Sequence, residues 1–152
     1  MSLLDYTTKV DAVRTIGEIE VILVAHGARS VHKEFGPSRQ PVAVAFEIAT
    51  PFGLQAFRLP VRTAGVLRLL ETAPELKRSH SIKRDEAQAT RIAWRIMKEW
   101  IQAQLALVET DMAALSEVML PYLELDSGES LYERITRRGL PALPPGGESG
   151  AR

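Results

Sequence analysis

From Ile82 to Pro121 the chain runs about 39 residues without a glycine or proline, in a helical hydrophobic rhythm throughout. A helix of that length is long for a domain of this size, and its faces separate when it is wound at ~100° per residue. Arg84, Gln88, Arg91, Arg95, Lys98 and Gln102 fall on one polar stripe. Trp94, Met97, Ile101, Leu105, Val108, Met112, Leu115 and Met119 form one flank of the remaining arc; Ile92, Ile96, Trp100, Ala103, Leu107 and Val118 form the other. That apolar arc covers roughly 220°, far more than the ~100° stripe that serves a single core. The helix therefore calls for two packing partners: the rest of its own domain and, in this reading, the same helix of a second subunit. Trp94, Met97, Trp100, Ile101, Leu105, Val108 and Met112 are the expected seam of that homo-oligomer. Each large side chain buried there would contribute roughly 1.5–3 kcal/mol.

Charge is laid out in blocks that the net charge of zero conceals. Residues 1–57 sum to −1, residues 58–98 to +6, residues 99–133 to −8 and the remainder to +3. Such blocks create local fields even when the total vanishes. Within the stripe no acid intervenes between Asp85-Glu86 and Glu99, whereas a merely solvated face usually mixes signs. Arg84, Arg91, Arg95 and Lys98 are thus candidate phosphate contacts, with Arg58, Arg62, Lys77, Arg78 and Lys83 as neighbours in the same basic block. A patch of this kind grips DNA or RNA through the backbone, without sequence preference and with a steep loss in salt. The competing reading pairs the basic block with the acidic one, Glu109, Asp111 or Glu117, across an interface. The tryptophans share no face with the cations, which points to packing rather than to base stacking.

The first half reads as helix, three strands, helix. Val13, Ile16, Ile19, Val21, Leu23 and Val24 give the first helix its apolar positions, and His26-Gly27 supplies its C-terminal cap. "RSVHKEF" places Val31 and Phe35 on one strand face. "VAVAFEIAT" alternates Val42, Val44, Phe46 and Ile48 against small Ala43, Ala45 and Ala49. "TPFG" turns the chain into the partner strand "LQAFRLPV", and "RTAGVLRLLETA" is a short helix closed by Pro74. The fold class expected is α+β: an antiparallel meander with a helix on either side in sequence, followed by the long helix. Double-stranded-RNA-binding domains share that element order, but the basic lysine cluster they carry at the second helix has no counterpart here. Ser81 is a candidate cap for the long helix, and a short helix is expected around Leu131–Arg137. The organisation expected is an αβββα unit over 1–75, the long helix with a short helix packed on it over 76–137, and a disordered Pro/Gly-rich tail over 138–152.

Catalytic signatures are missing from the sequence. The three histidines, at 26, 32 and 80, form no metal-ligand spacing, and there is no HExxH, Walker loop, GxGxxG or GxSxG. Without cysteine there is neither a thiol nucleophile nor a disulfide. The paired acids Glu18/Glu20, Asp85/Glu86 and Asp126/Glu129 sit where surface or cap residues belong. No catalytic residue, metal or cofactor is expected. No stretch is apolar enough to span a bilayer and "MSLLDYTTKV" lacks the features of a signal peptide, so a cytoplasmic protein without membrane contact is expected.

Four segments taken together, "TIGEIEVILVAHGA", the strand pair ending in "FRLPV", "RIAWRIMKEWIQAQLALVE" and "LPYL", resemble a family of small uncharacterised proteins encoded by bacteriophages, prophages and other mobile elements. The likeness runs over roughly residues 6–135, and "AWRIMKEWIQAQ" is its most specific part. The resemblance implies a mobile-element setting and transfers no residue role. The leading expectation is a non-catalytic, nucleic-acid-binding accessory protein. The alternative is a structural or adaptor protein whose long helix assembles oligomers or docks a larger protein, and a third reading is a peptide binder using an open sheet edge.

Overall fold

The computed structural model describes residues 6–73 and 84–146. Helix α1 (Ala12–Ala25) buries Ala12, Ile16, Ile19 and Leu23 and ends at His26, with Gly27 at φ 100°. That left-handed position is where glycine carries no Cβ penalty. Val13, Val21 and Val24 project outward, with Val21 69% exposed. Half of the apolar positions that mark α1 in the sequence therefore face water rather than the core.

Strands β1 (Ala28–Phe35), β2 (Pro41–Thr50) and β3 (Gly53–Pro60) form an antiparallel sheet in that order. β2 and β3 pair from Ala43↔Pro60 to Thr50↔Gly53, so Pro51 and Phe52 alone make the turn. Alternation places Val44, Phe46, Ile48, Phe57 and Leu59 on one face, all buried, with the Phe46 and Phe57 rings 5.5 Å apart. Val42 is only half-buried and Phe35 is exposed. The β1–β2 register shifts between Glu34 and Phe35, where the pairing reaches Pro41 and skips Val42. Both residues thus sit at a bulged strand end, clear of the helix layer.

Helix α2 (Ala64–Thr72) precedes the long helix α3 (Glu86–Glu109). Asp85 caps α3, accepting the Gln88 amide at 2.8 Å; the expected cap Ser81 lies outside the described residues. α3 has 24 residues, well short of the expected span. It ends in a double closure: the Met112 amide donates to the Leu107 carbonyl and the Asp111 amide to that of Val108, while Asp111 takes φ 57°. This is the Schellman arrangement with aspartate in the left-handed position that glycine usually occupies. A short helix α4 (Leu115–Met119), a 3₁₀ turn (Leu120–Tyr122) and helix α5 (Leu131–Arg138) follow.

α1 and α3 lie side by side on the apolar sheet face and run parallel. Gln88 Nε2 donates to the carbonyls of Tyr6 and Thr8, Lys98 pairs with Glu18, and Glu109 pairs with His26. One core joins Ile16, Ile19 and Leu23 of α1, the sheet's inner face, and Trp94, Ile101 and Leu105 of α3. A smaller cluster of Leu70, Ala73, Ala89 and Ile92 attaches α2 to α3. Residues on both sides of the 75/76 boundary thus share a core. α5 contacts the 3₁₀ turn. Leu123 bridges Phe57, and the Glu124 amide donates to the Ala56 carbonyl at 2.8 Å, covering the outer edge of β3. Residues 139–146 are exposed and belong to no helix or strand.

Candidate functional site

The stripe on α3 exists as a row, but each of its cations has an acceptor within the chain. Arg84 Nε donates to the Leu70 carbonyl (2.8 Å) and Arg91 Nε to Gln88 Oε1 (2.9 Å). Arg95 pairs with Glu99 one turn on (3.2 Å), and Lys98 reaches across to Glu18 of α1. The Lys98 ammonium, acting first through that hydrogen bond, holds the Glu18 carboxyl below its ordinary range. All four cations are half-buried. Acceptors within the chain thus include Glu18, Glu99, Gln88 and the Leu70 carbonyl. Lys77, Arg78 and Lys83 lie outside the described residues.

Three residues of the expected oligomer seam require correction. Trp94 and Ile101 are fully buried in the chain's own core and Leu105 nearly so, while Met97 and Trp100 pack partly against it. Trp94 Nε1 donates to the Pro41 carbonyl at 3.1 Å, which satisfies the indole inside the core. The second packing partner that the wide apolar arc demands is supplied by α1 on one flank and α2 on the other. Val108 is half-buried, and of the seven expected seam residues Met112 alone is exposed. It sits past the end of α3 in the connection to α4.

Arg58 stands elsewhere, on the sheet face turned away from α1 and α3, and Arg62 lies just past the end of β3. Arg58 lies across from Ala45, and Glu34 across from Ala43. Because β2 presents the alanine methyls of Ala43 and Ala45 between them, the two long side chains meet over it. Arg58 donates from Nη2 (2.7 Å) and Nε (3.0 Å) to Glu34 Oε2, and from Nε to Oε1 (3.1 Å). This fork geometry is the strong form of the pair. It lowers the Glu34 pKa from its ordinary value and raises that of Arg58, in each case mainly through the hydrogen bonds. Ala43 is fully buried beneath.

Beside this pair opens a cleft of about 390 Å³, between β3 and the segment that leads into α5. Its walls are Arg58, Pro60 and Arg62 on one side, and Pro121, Tyr122, Glu124, Gly128, Ser130, Tyr132 and Glu133 on the other. The volume falls in the range of small-ligand and peptide-side-chain sites. Tyr122 is braced edge-on by Trp100, with ring centroids 5.5 Å apart. The far wall is held by Glu129, which binds Arg134 (2.9 Å) and Arg137 (3.0 Å), and by Ser130, which accepts the Glu133 amide at 3.1 Å. The Arg134 hydrogen bond is the main reason the Glu129 carboxyl stays below its ordinary range. Arg62 is exposed, as are Glu124 and Glu133. The cleft thus offers flat apolar surfaces, hydroxyls and both signs of charge, but no nucleophile positioned beside a general base.

Sequence reasoning picked out Arg58 and Arg62 for their charge and missed Glu34, Tyr122, Tyr132 and the two prolines that make the cleft. The alternation "VAVAFEIAT" carried one signal: the small Ala43 and Ala45 on its second face leave room for neighbours to meet across it. Among the described residues, no group of three or more His, Asp or Glu side chains could hold a metal ion, and no helix is long and apolar enough to cross a membrane. No protein-family model, curated protein or solved structure matches the chain.

Proposed function

We propose that this protein is a non-catalytic docking protein, an adaptor that works by presenting a shaped surface to another polypeptide segment. The commitment of the α3 cations carries the reading. Nucleic-acid binding gains its free energy when unpaired Lys and Arg displace counterions from phosphates. Lys98 and Arg95 are already neutralised by Glu18 and Glu99, and Arg84 and Arg91 are each held by acceptors of their own chain. The cleft, with its tyrosines, prolines and mixed charge, is suited to a peptide.

A nucleic-acid-binding accessory role is the second reading. It is favoured by exposed Arg62, just before α2, and exposed Arg68 within it, with Arg84 bonded to the Leu70 carbonyl of the same helix. The resemblance to bacteriophage and prophage proteins, and with it a cytoplasmic setting, suits either role. If the protein self-associates, the outer valines of α1 offer more apolar surface for the contact than α3 does.

The test is fluorescence anisotropy with labelled single-stranded and duplex DNA across a salt series, using the protein and its Arg91→Glu/Arg95→Glu variant. The docking reading expects weak binding at low salt, nearly the same for both proteins. A log–log salt slope of several units that collapses in the variant would overturn it in favour of phosphate binding.

A further inference from the structure

The tail that leaves α5 has a pattern of its own. "LPALPP", Leu140 to Pro145, repeats with period three: leucine at 140 and 143, proline at 141 and 144. Three residues make one turn of a polyproline-II helix, so the leucines form one ridge and the prolines another. In the structure this segment is exposed, and Leu143 is 93% accessible. An apolar ridge on a stiff, proline-rich segment is a surface without a partner. The cleft has matching chemistry. Polyproline-II segments dock on rigid aromatic and proline planes, and their unpaired carbonyls accept from hydroxyl and guanidinium donors. Tyr122, Tyr132, Pro60 and Pro121 provide the planes, and Arg62 provides a donor.

Position brings the two together. Tyr132 lies in the first turn of α5, and the tail begins at Gly139, at φ 95°, just past the other end. α5 is 8 residues long, about 12 Å, while six residues of polyproline II extend about 19 Å. The tail can therefore fold back along α5 and reach the cleft.

We propose that the cleft is a binding site for a polyproline-II peptide, and that Leu140–Pro145 of the same chain is its occupant. The inference rests on the docking reading and names the ligand class for that site. In the structure residues 140–145 are exposed and line no wall of the cleft.

The test uses a fluorescein-labelled peptide of residues 139–146 and three full-length proteins: the wild type, a tail variant (Leu140→Gly, Pro141→Gly, Leu143→Gly, Pro144→Gly), and that variant with Tyr132→Ala added. A tethered tail competes at an effective concentration near the millimolar range. The wild type should therefore bind the peptide at least about tenfold more weakly than the tail variant. Adding Tyr132→Ala should abolish binding without moving the melting temperature, since Tyr132 is 55% exposed. A peptide with its prolines replaced by alanine should not bind. No binding to the tail variant at millimolar peptide, or binding that survives Tyr132→Ala, overturns the site. Equal binding by wild type and tail variant overturns the tail as occupant. Failure here without salt-steep DNA binding leaves the docking reading standing; salt-steep DNA binding lost in the α3 variant removes that reading, whatever the peptide does.

Discussion

The α1–α3 seam and the cleft on the opposite sheet face both contain cations from the basic block, and they treat them differently. In the seam, Lys98 and Arg95 lie over a closed core and are joined to acids by single contacts. At the cleft, Arg58 is fixed by a fork to Glu34 over Ala43 and Ala45, and beside it Tyr132 and Pro121 stay open to solvent. A row of charges along a helix is therefore a weaker guide to a binding surface than the burial of the layer beneath it. Where the side chains under a charge row are well packed, the row finishes a folded surface. Where they are small and the neighbouring walls diverge, the same charges border a place for something else.

The largest effect that would sharpen this contrast is loss of core packing. Trp94→Ala removes a fully buried indole together with its hydrogen bond to the Pro41 carbonyl, and should cost about 3–5 kcal/mol. Tyr132→Ala at the cleft rim should cost under about 0.5 kcal/mol, as expected of an exposed site. Urea unfolding of both variants reads the difference directly. Comparable losses would mean the cleft wall is as much a part of the core as the seam.

Much of the fold was legible because its signals are local. The alternation of β2, the "TPFG" turn and the glycine after His26 each report their own backbone, and each element formed as expected. The misreadings share a different cause. α3 stops at Thr110-Asp111 although no helix-breaking residue is present, because aspartate tolerates the left-handed conformation while remaining an ordinary helix residue in a periodicity count. The wide apolar arc was real, but it packs against α2 and α1 of the same chain, and α1 is some 80 residues away, where periodicity cannot place it. The charge blocks say nothing of pairing for the same reason: Glu18, which pairs with Lys98, belongs to a segment counted as nearly neutral. The cleft was the least legible part, since its walls come from β3 and from the chain after α4, joined through the Leu123 bridge.

A middle-sized effect probes the ion pair beside the cleft. Glu34→Gln removes the charge from the fork but keeps its shape. Both side chains are more than a third exposed, which limits the loss to about 0.5–1 kcal/mol at neutral pH. The Glu34 pKa is lowered in the folded state, so its contribution is present above the ordinary carboxylate value of 4.5 and is lost as pH falls through the folded value. Wild type and variant should therefore differ in stability at neutral pH and converge in acid. A gap that persists unchanged in acid would assign the effect to packing over Ala43 instead of to charge.

The smallest effect lies at the far end of the seam and has the opposite pH sense. His26 caps α1; its Nδ1 donates to the Ile22 carbonyl at 2.8 Å, and its Nε2 meets Glu109 at the end of α3. The Ile22 carbonyl is the main cause of its raised pKa, with Glu109 adding to it and partial burial opposing. Because the folded value lies above the ordinary 6.5, this contribution is fully present below about pH 6.5 and is lost as pH rises through the folded value. A protonated histidine at a helix C-terminus also complements the dipole there, and with Glu109 largely exposed the total is a few tenths of a kcal/mol. His26→Gln should flatten the stability profile between about pH 6 and 8. Glu109→Gln should lower the His26 pKa measured by NMR only in part, because the carbonyl remains. A His26 pKa that drops fully to its ordinary value in Glu109→Gln would make the seam's end an ion pair between helices. A partial drop makes it a helix cap that a second helix reinforces, so that even where the seam carries charge, the backbone beneath contributes more than the partner across.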